Sequence, residues 1–304
     1  MTRVLTLAVA ALALAPAARA LPLPGPGTTL TRELEVHYVA HDGIRRAAYV
    51  LLPAWYGPHR HPAIPLVISP HGRGVDARAN ARLWGDLPAR GPFAVVNPEG
   101  QGRRLELYSW GDPGQIDDLA RMPRILRRAL PWLRIAPHRI YAVGGSMGGQ
   151  ETLLLVARHP RLLAGAVAFD PATDLFLRYR DFAALKWGRR LQQLAAYEVG
   201  GTPRLDPRAW SVRSPMHFAR QIADSGVPLQ IWWSTRDRII RDQRREAEKL
   251  YLAIRRLNPR APVEQCVGSW RHTAEMAANR RLPQALRHLG LLDALRPGLL
   301  HSVD

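Results

Sequence analysis

From residue 33 onward, short apolar runs are separated by polar turns. Glu33 to Ala40 alternates weakly, His41-Asp42-Gly43 is a turn, and Ile44 to Leu52 reads as a second strand, which predicts a hairpin. After a proline-rich loop, Ile64-Pro-Leu-Val-Ile68 is a short strand of the buried kind, followed by a glycine loop and a further strand, Phe93-Ala-Val-Val96. Gln115 to Leu133 has helical spacing, with Asp117-Asp118 expected in its first turn and Pro123 expected to kink or restart it. Ile140-Tyr-Ala-Val143 is a strand, and Glu151 to Ala157 is a helix closed by Arg158-His159-Pro160. Leu163 to Phe169, Pro228 to Trp233 and Pro262 to Val267 read as strands; Arg241 to Leu257 and most of Thr273 to Leu291 read as helices.

Strands alternate with helices from Ile64 on. That order predicts an α/β fold, a mostly parallel sheet with helices on both faces. In such sheets the chemistry lies in loops at the carboxyl ends of the strands. Residues 171–227 are too many for a simple crossover and hold Phe176, Tyr179, Phe182, Trp187, Tyr197 and Trp210. They read as a small helical cap giving an apolar pocket, or as a surface insertion covering its own aromatics.

The strand at Val143 runs into Gly144-Gly145-Ser146-Met147-Gly148-Gly149. If a strand reverses directly into a helix, the apical residue sits in strained backbone geometry, and side chains two positions away would crowd it. Gly144 and Gly148 relieve that crowding, so G-x-S-x-G reads as a nucleophile elbow presenting the Ser146 hydroxyl. The N–H of Met147, at the helix N-terminus, is placed to stabilise an oxyanion. A serine needs a base, and the base an orienter. Asp237 follows the strand ending at Trp233, and His272 follows the strand ending at Val267, in the chain order Ser, acid, His. Asp170 and Asp174, past Phe169, are alternative acids, or else shape the pocket or cap a helix. Asp242 reads as surface, His217 as packing, and His288 and His301 as lying on the final helix and in the tail.

The loop Ser69-Pro-His71-Gly72-Arg73-Gly74 is where a second oxyanion N–H is expected, from Arg73 or Gly74, with Arg73 favoured. His71 reads as structural. Trp270, two residues before His272, walls the pocket or packs. Tyr179 and Trp187 are the cap residues expected to bind substrate.

This constellation resembles the α/β-hydrolase superfamily over roughly residues 33–290. More closely, it resembles the catalytic domain of prolyl oligopeptidase-type serine peptidases and related secreted esterases. Gly144 to Gly149, Arg213-Ser214-Pro215, and Asn97-Pro-Glu-Gly-Gln-Gly102 with Trp110 carry the likeness. The resemblance implies the α/β-hydrolase fold and hydrolysis. Two departures weigh against peptide cleavage. Those peptidases carry a β-propeller for which 304 residues leave no room, and some bind the substrate's amino terminus with an acidic pair that has no match here.

Composition changes the picture in three places. Met1-Thr-Arg3, the apolar run Val4 to Pro16 and Ala18-Arg19-Ala20 read as a secretory signal peptide, residues 1–20, with an uncleaved anchor as the alternative. Residues 21–32 form a lead-in, 33–292 one domain and 293–304 a tail, which places the protein outside the cytoplasmic membrane as a secreted or periplasmic chain without stable membrane insertion. The net charge of +18 becomes +16 when the two arginines of residues 1–20 are removed. The cations are nearly all arginine, with lysine only at Lys186 and Lys249, spread through every segment. That spread reads as codon bias rather than a nucleic-acid-binding face, and leaves attraction to acidic polymers open. The single Cys266 excludes an intramolecular disulfide and reads as a small buried residue. The expected function is a cofactor-independent serine esterase acting on a small or polymeric ester. The alternatives are a peptidase of short peptides and an inactive hydrolase-fold binding protein.

Overall fold

The computed structural model describes residues 30–100 and 110–293. The expected signal peptide, most of the lead-in, the Arg103-Arg104 stretch and nearly all of the tail with His301 lie outside these residues. The described residues form an eight-stranded sheet in the order β1-β2-β4-β3-β5-β6-β7-β8. β1 (Thr31–Val39) and β2 (Arg45–Pro53) make the expected antiparallel hairpin, and β2 pairs antiparallel with β4 (Ala94–Pro98). From there through β3 (Ile64–Ile68), β5 (Ile135–Gly145), β6 (Gly165–Phe169), β7 (Leu229–Ser234) and β8 (Val263–Gly268), all neighbours are parallel.

The inner strands are apolar along their whole length because both of their faces are covered. Successive residues alternate between two layers. Leu66, Ile68 and Ala142 pack with α3 (Pro113–Ala129), α4 (Met147–Arg158), α8 (Ala219–Ala223) and α9 (Lys249–Leu257). Val67, Val143 and Val167 pack on the other side with α1 (Ala77–Arg82), α2 (Leu87–Arg90) and α10 (Leu282–His288). A third cluster lies apart from both. Leu175 and Phe182 of α5 (Leu175–Phe182), Ala195 and Val199 of α6 (Gly188–Val199), and Trp210 of α7 (Pro207–Ser211) gather around Trp110. Ile222 and Val227, from the last part of segment 171–227, join the main core instead.

Several elements differ from the sequence expectation. α3 begins at Pro113, capped by Asp112 through the Gly114 N–H at 2.8 Å, so Asp117 and Asp118 fall beyond its first turn. Asp118 is buried and holds His41 at 2.8 Å, with Arg121 also on its carboxylate. The helix continues through a buried Pro123 as one element. Between Arg241 and Leu257, a wide π turn at Arg244–Glu248 precedes α9. The stretch expected as helix from Thr273 is turns up to Leu282. Thr273 sits at φ 55°, a left-handed backbone, and Ala278 N–H bonds Leu83 carbonyl at 2.7 Å. Long-range bonds thus override the helix propensity of Ala274 to Ala278. Cys266 is only half-buried, on edge strand β8. No helix of the described residues is long and apolar enough to cross a membrane.

Candidate active site

Ser146 lies between β5 and α4 at φ 59°, ψ −121°. Its N–H donates to Phe169 carbonyl at 2.8 Å and its carbonyl accepts from Gln150 N–H at 3.0 Å, so the neighbouring strand β6 and the following helix α4 fix the strained turn. The glycines are obligatory. A Cβ on Gly144 would lie 2.3 Å from the Gly148 carbonyl oxygen, and one on Gly148 would lie 2.2 Å from that of Pro70. The second contact also presses the loop before Gly72 against the elbow. A Cβ on Gly72 would sit 3.7 Å from Ser146 Cβ, so the Arg73 loop borders the serine.

Asp237 follows β7 and His272 follows β8, and their side chains meet: Nδ1 of His272 lies 2.7 Å from Asp237 Oδ2. Asp237 is buried and its remaining capacity is filled. Oδ1 accepts the N–H groups of Ile239 at 2.8 Å and Ile240 at 2.9 Å, and Oδ2 accepts Gln243 Nε2 at 2.9 Å. Burial alone would raise this carboxyl, but the His272 bond and charge, with Gln243 and Ile240, outweigh it and hold it below the usual aspartate range. On the far side of the ring, His272 Nε2 is buried without a hydrogen-bond partner among the described residues. Ser146, Met147, Arg73, Gly74 and His272 line one cavity of about 380 Å³.

Asp170 is not the partner of His272. It leaves β6 at φ 41°, fully buried, and holds the histidine loop. Its Oδ2 accepts Thr273 N–H at 2.7 Å and Trp270 Nε1–H at 2.9 Å, the residues one after and two before His272. Its Oδ1 accepts Ser234 N–H at 2.9 Å, which ties β7 to the same carboxylate. Burial pushes Asp170 up to about 6, against the Thr273 bond. The facing atoms of Asp170, Asp237 and His272 lie within 4.8 Å of one another. These carboxylate oxygens already accept N–H donors, which makes the group a proton-bonded network rather than a cation cage. Asp174 caps α5 through Phe176 N–H and Leu177 N–H at 3.0 and 3.1 Å.

The π turn has a purpose visible here. It carries Gln243 to Asp237 and Glu246 inward, where Glu246 Oε2 accepts Thr173 N–H at 2.7 Å and Asp174 N–H at 2.8 Å. His71 is structural: its Nε2 accepts Gly100 N–H at 2.9 Å. His217 stacks on Phe176, centroids 5.6 Å apart.

The substrate-binding expectations need correction. Trp187 is 65% exposed at the start of α6, with Lys186 over its ring, and does not reach the cavity. Tyr179 packs edge-on against Trp210 and borders a separate shallow groove with Phe176. Trp270 packs beside Trp232, one of its two expected roles, and lines an adjoining cavity that shares His272 and Ile239 with the Ser146 cavity. The wall is instead built by Trp110, Phe182, Ile239, Ile240 and Met276, with Arg178. A run of mixed polarity such as 175–182 does not reveal which face turns inward. Gln150, donating to the carbonyls of Trp110 at 2.8 Å and Arg213 at 2.7 Å, fixes Trp110 at the mouth. Arg213 in turn is paired with Asp112.

Residues 99–237 match the Prolyl oligopeptidase family. Comparison with curated proteins finds no match. Among solved structures, an esterase of Pyrococcus furiosus aligns with a TM-score of 0.58 and 16% identity, over 90% of this chain and 95% of that one. An acylaminoacyl peptidase of Pyrococcus horikoshii aligns with a TM-score of 0.64 and 14% identity, over 86% of this chain and 41% of that one. The S-formylglutathione hydrolase of Staphylococcus aureus aligns with a TM-score of 0.60 and 16% identity, over 86% and 98%. The chain has the α/β-hydrolase fold.

Proposed function

We propose that this chain, a hydrolase of the serine α/β-hydrolase type by its fold and family match, is a carboxylesterase working through an acyl-enzyme. The observation that carries the reading is the bond from His272 Nδ1 to Asp237, with Nε2 left unpartnered in the cavity that holds Ser146. In this reading His272 Nε2 takes the proton from Ser146 Oγ as that oxygen attacks the ester carbonyl. Asp237 fixes the tautomer and stabilises the imidazolium. The tetrahedral oxyanion is held by the Met147 N–H, which as the first residue of α4 has no acceptor inside the helix, and by an N–H of the Arg73 loop. Collapse expels the alcohol, which receives the proton from His272. Water then repeats the sequence on the acyl-enzyme.

Esters are favoured over peptides with a free amino terminus by the charge of the wall. No acidic side chain lines the cavity among the described residues, whereas Arg73 and Arg178 both do. A substrate ammonium would meet repulsion there. We further propose, from residues 1–20, that the protein works outside the cytoplasmic membrane; exported protein beginning at Leu21 is the expected N-terminal sequence.

The test is a panel of chromogenic esters beside peptide amides, with fluorophosphonate labelling. Ester turnover and labelling that Ser146→Ala abolishes are expected. Turnover of amides alone moves the reading to a peptidase, and absence of both labelling and turnover would leave the hydrolase scaffold as a binding module.

A further inference from the structure

Among the described residues, two cations in the wall of the serine cavity have no ion-pair partner. Arg178, on cap helix α5, is 6% exposed, and its Nη1 is buried with no hydrogen-bond partner among the described residues. Glu246, Asp181 and Asp237 attract it, but none reaches ion-pair distance. Glu246 is committed to Thr173 and Asp174, and Asp181 faces Arg245 at 3.8 Å. Its guanidinium lies over the Phe182 ring, 4.8 Å from the centroid. Arg73, across the cavity on the oxyanion loop, has its Nε buried without a partner and lies 5.0 Å from the Trp110 centroid. Burial lowers Arg73 first, Glu198 opposes that, and the Arg178 guanidinium adds to the lowering.

A buried arginine keeps its proton and normally finds a carboxylate. Here the carboxyl that attracts Arg73, Glu198, is pushed by burial up to about 8, against the pull of Arg73, Trp110 and Arg213. Both of its carboxyl oxygens are buried without a hydrogen-bond partner among the described residues, and it makes no ion pair with Arg73 there. Two like charges in one partly apolar cavity are costly unless an anion completes the arrangement.

Resting on the esterase reading of Ser146, we infer that the substrate carries a carboxylate, held by the Arg178 guanidinium with Arg73 beside it, close to the ester that Ser146 attacks. The planar forks of both side chains match a carboxylate's two oxygens. A cavity of about 380 Å³ fits a short half-ester of a dicarboxylic acid, or a short acyl ester of a small hydroxy acid. Neither the backbone N–H groups nor the triad requires a cation at Arg178, so its placement bears on substrate selection.

The experiment compares two acidic esters with their methyl-blocked neutral forms: 4-nitrophenyl hydrogen glutarate, acidic in its acyl part, and 4-carboxyphenyl butyrate, acidic in its alcohol part. The parent is expected to favour at least one acidic ester over its neutral form by about 10-fold or more in kcat/KM, the worth of one charge-assisted hydrogen bond. Arg178→Gln should collapse that ratio toward unity, and Arg178→Lys should restore part of it. Equal rates on acidic and neutral forms in the parent, or a preference that survives Arg178→Gln with its melting temperature intact, would overturn the inference. The Ser146→Ala protein separates this from the esterase reading. Calorimetric binding of glutarate or 4-hydroxybenzoate that is lost on adding Arg178→Gln sustains the anion site even where no ester is cleaved, in which case only the esterase reading fails. If Arg178→Gln does not fold, Arg178→Lys carries the comparison: an undiminished acid preference in that variant counts against a bidentate fork.

Discussion

The loops after β6, β7 and β8 and the cavity wall formed by α5 and the loop after β3 treat charge in opposite ways. Around His272, each carboxylate is answered: Asp237 accepts four donors and Asp170 three. Around Arg178 and Arg73, in the facing wall, the guanidinium groups have no ion-pair partner among the described residues. The first arrangement costs little to reorganise during a reaction, because its dipoles are fixed before substrate arrives. The second would be completed by the carboxylate inferred above. The contrast sets His272 and Asp237, on loops after β8 and β7, against two arginines on a short helix and on the glycine loop after β3.

The largest effect tests the answered side. Ser146→Ala, His272→Ala and the double variant are each expected to lose about 10⁴- to 10⁶-fold in kcat, with little further loss in the double variant, because the groups act as one unit. Additive losses measured by steady-state kinetics would break the idea of a single unit. Asp237→Ala is expected to lose somewhat less. If it turned over at near-parental rates while Asp170→Ala did not, the acid assignment would move to Asp170. For Asp170→Asn the expected loss is roughly 10-fold to 100-fold, since the amide keeps one acceptor but loses charge-assisted bonds to Trp270 and Thr273.

A smaller effect concerns pH. Asp170, Glu246 and Glu198 are raised by burial to about 6, 7 and 8. A carboxyl whose folded value exceeds its unfolded one binds a proton more tightly when folded. Its stabilising contribution is therefore present below the unfolded value near 4 and is lost as pH rises through the folded value. Unfolding free energy from denaturant titration should fall between about pH 4 and 8. Glu198→Gln should flatten the upper part of that fall, where Arg73, Arg213 and Asp112 face the carboxyl; an unchanged slope would show that Glu198 is charged beside Arg73. Asp237 runs the other way, its contribution lost only as pH falls through its lowered value.

The smallest effect sharpens the outer boundary of the recognition wall. Trp187→Ala should leave relative kcat/KM across an acyl-length series unchanged, because the ring lies in solvent. Phe182→Ala, which opens the cavity, should shift that series toward longer acyl chains. A shift from Trp187→Ala would mean that α6 closes over the site during turnover.

What the sequence determined by itself was set by short-range rules. A run such as Ala94 to Val96 must be covered on both faces, Gly144 and Gly148 are required wherever a strand turns at once into a helix, and Asp237 and His272 follow strand ends in a fixed chain order. Local backbone sterics and period-two burial make those features legible. Tertiary structure decided the rest. Asp170 and Asp237 look alike along the chain, each just past a strand, and only their depth and the path of the 270–273 loop assign one to Thr273 and Trp270 and the other to the imidazole. Ala274 to Ala278 has helical composition, yet Leu83 and Asp170 hold its neighbourhood in turns. Trp187 faces water and Arg178 lines the cavity that holds Ser146 because the rotation of each cap helix is fixed by the cluster around Trp110 and Trp210. Which face of a short helix turns inward depends on the surface it lands on, and residues distant in sequence build that surface.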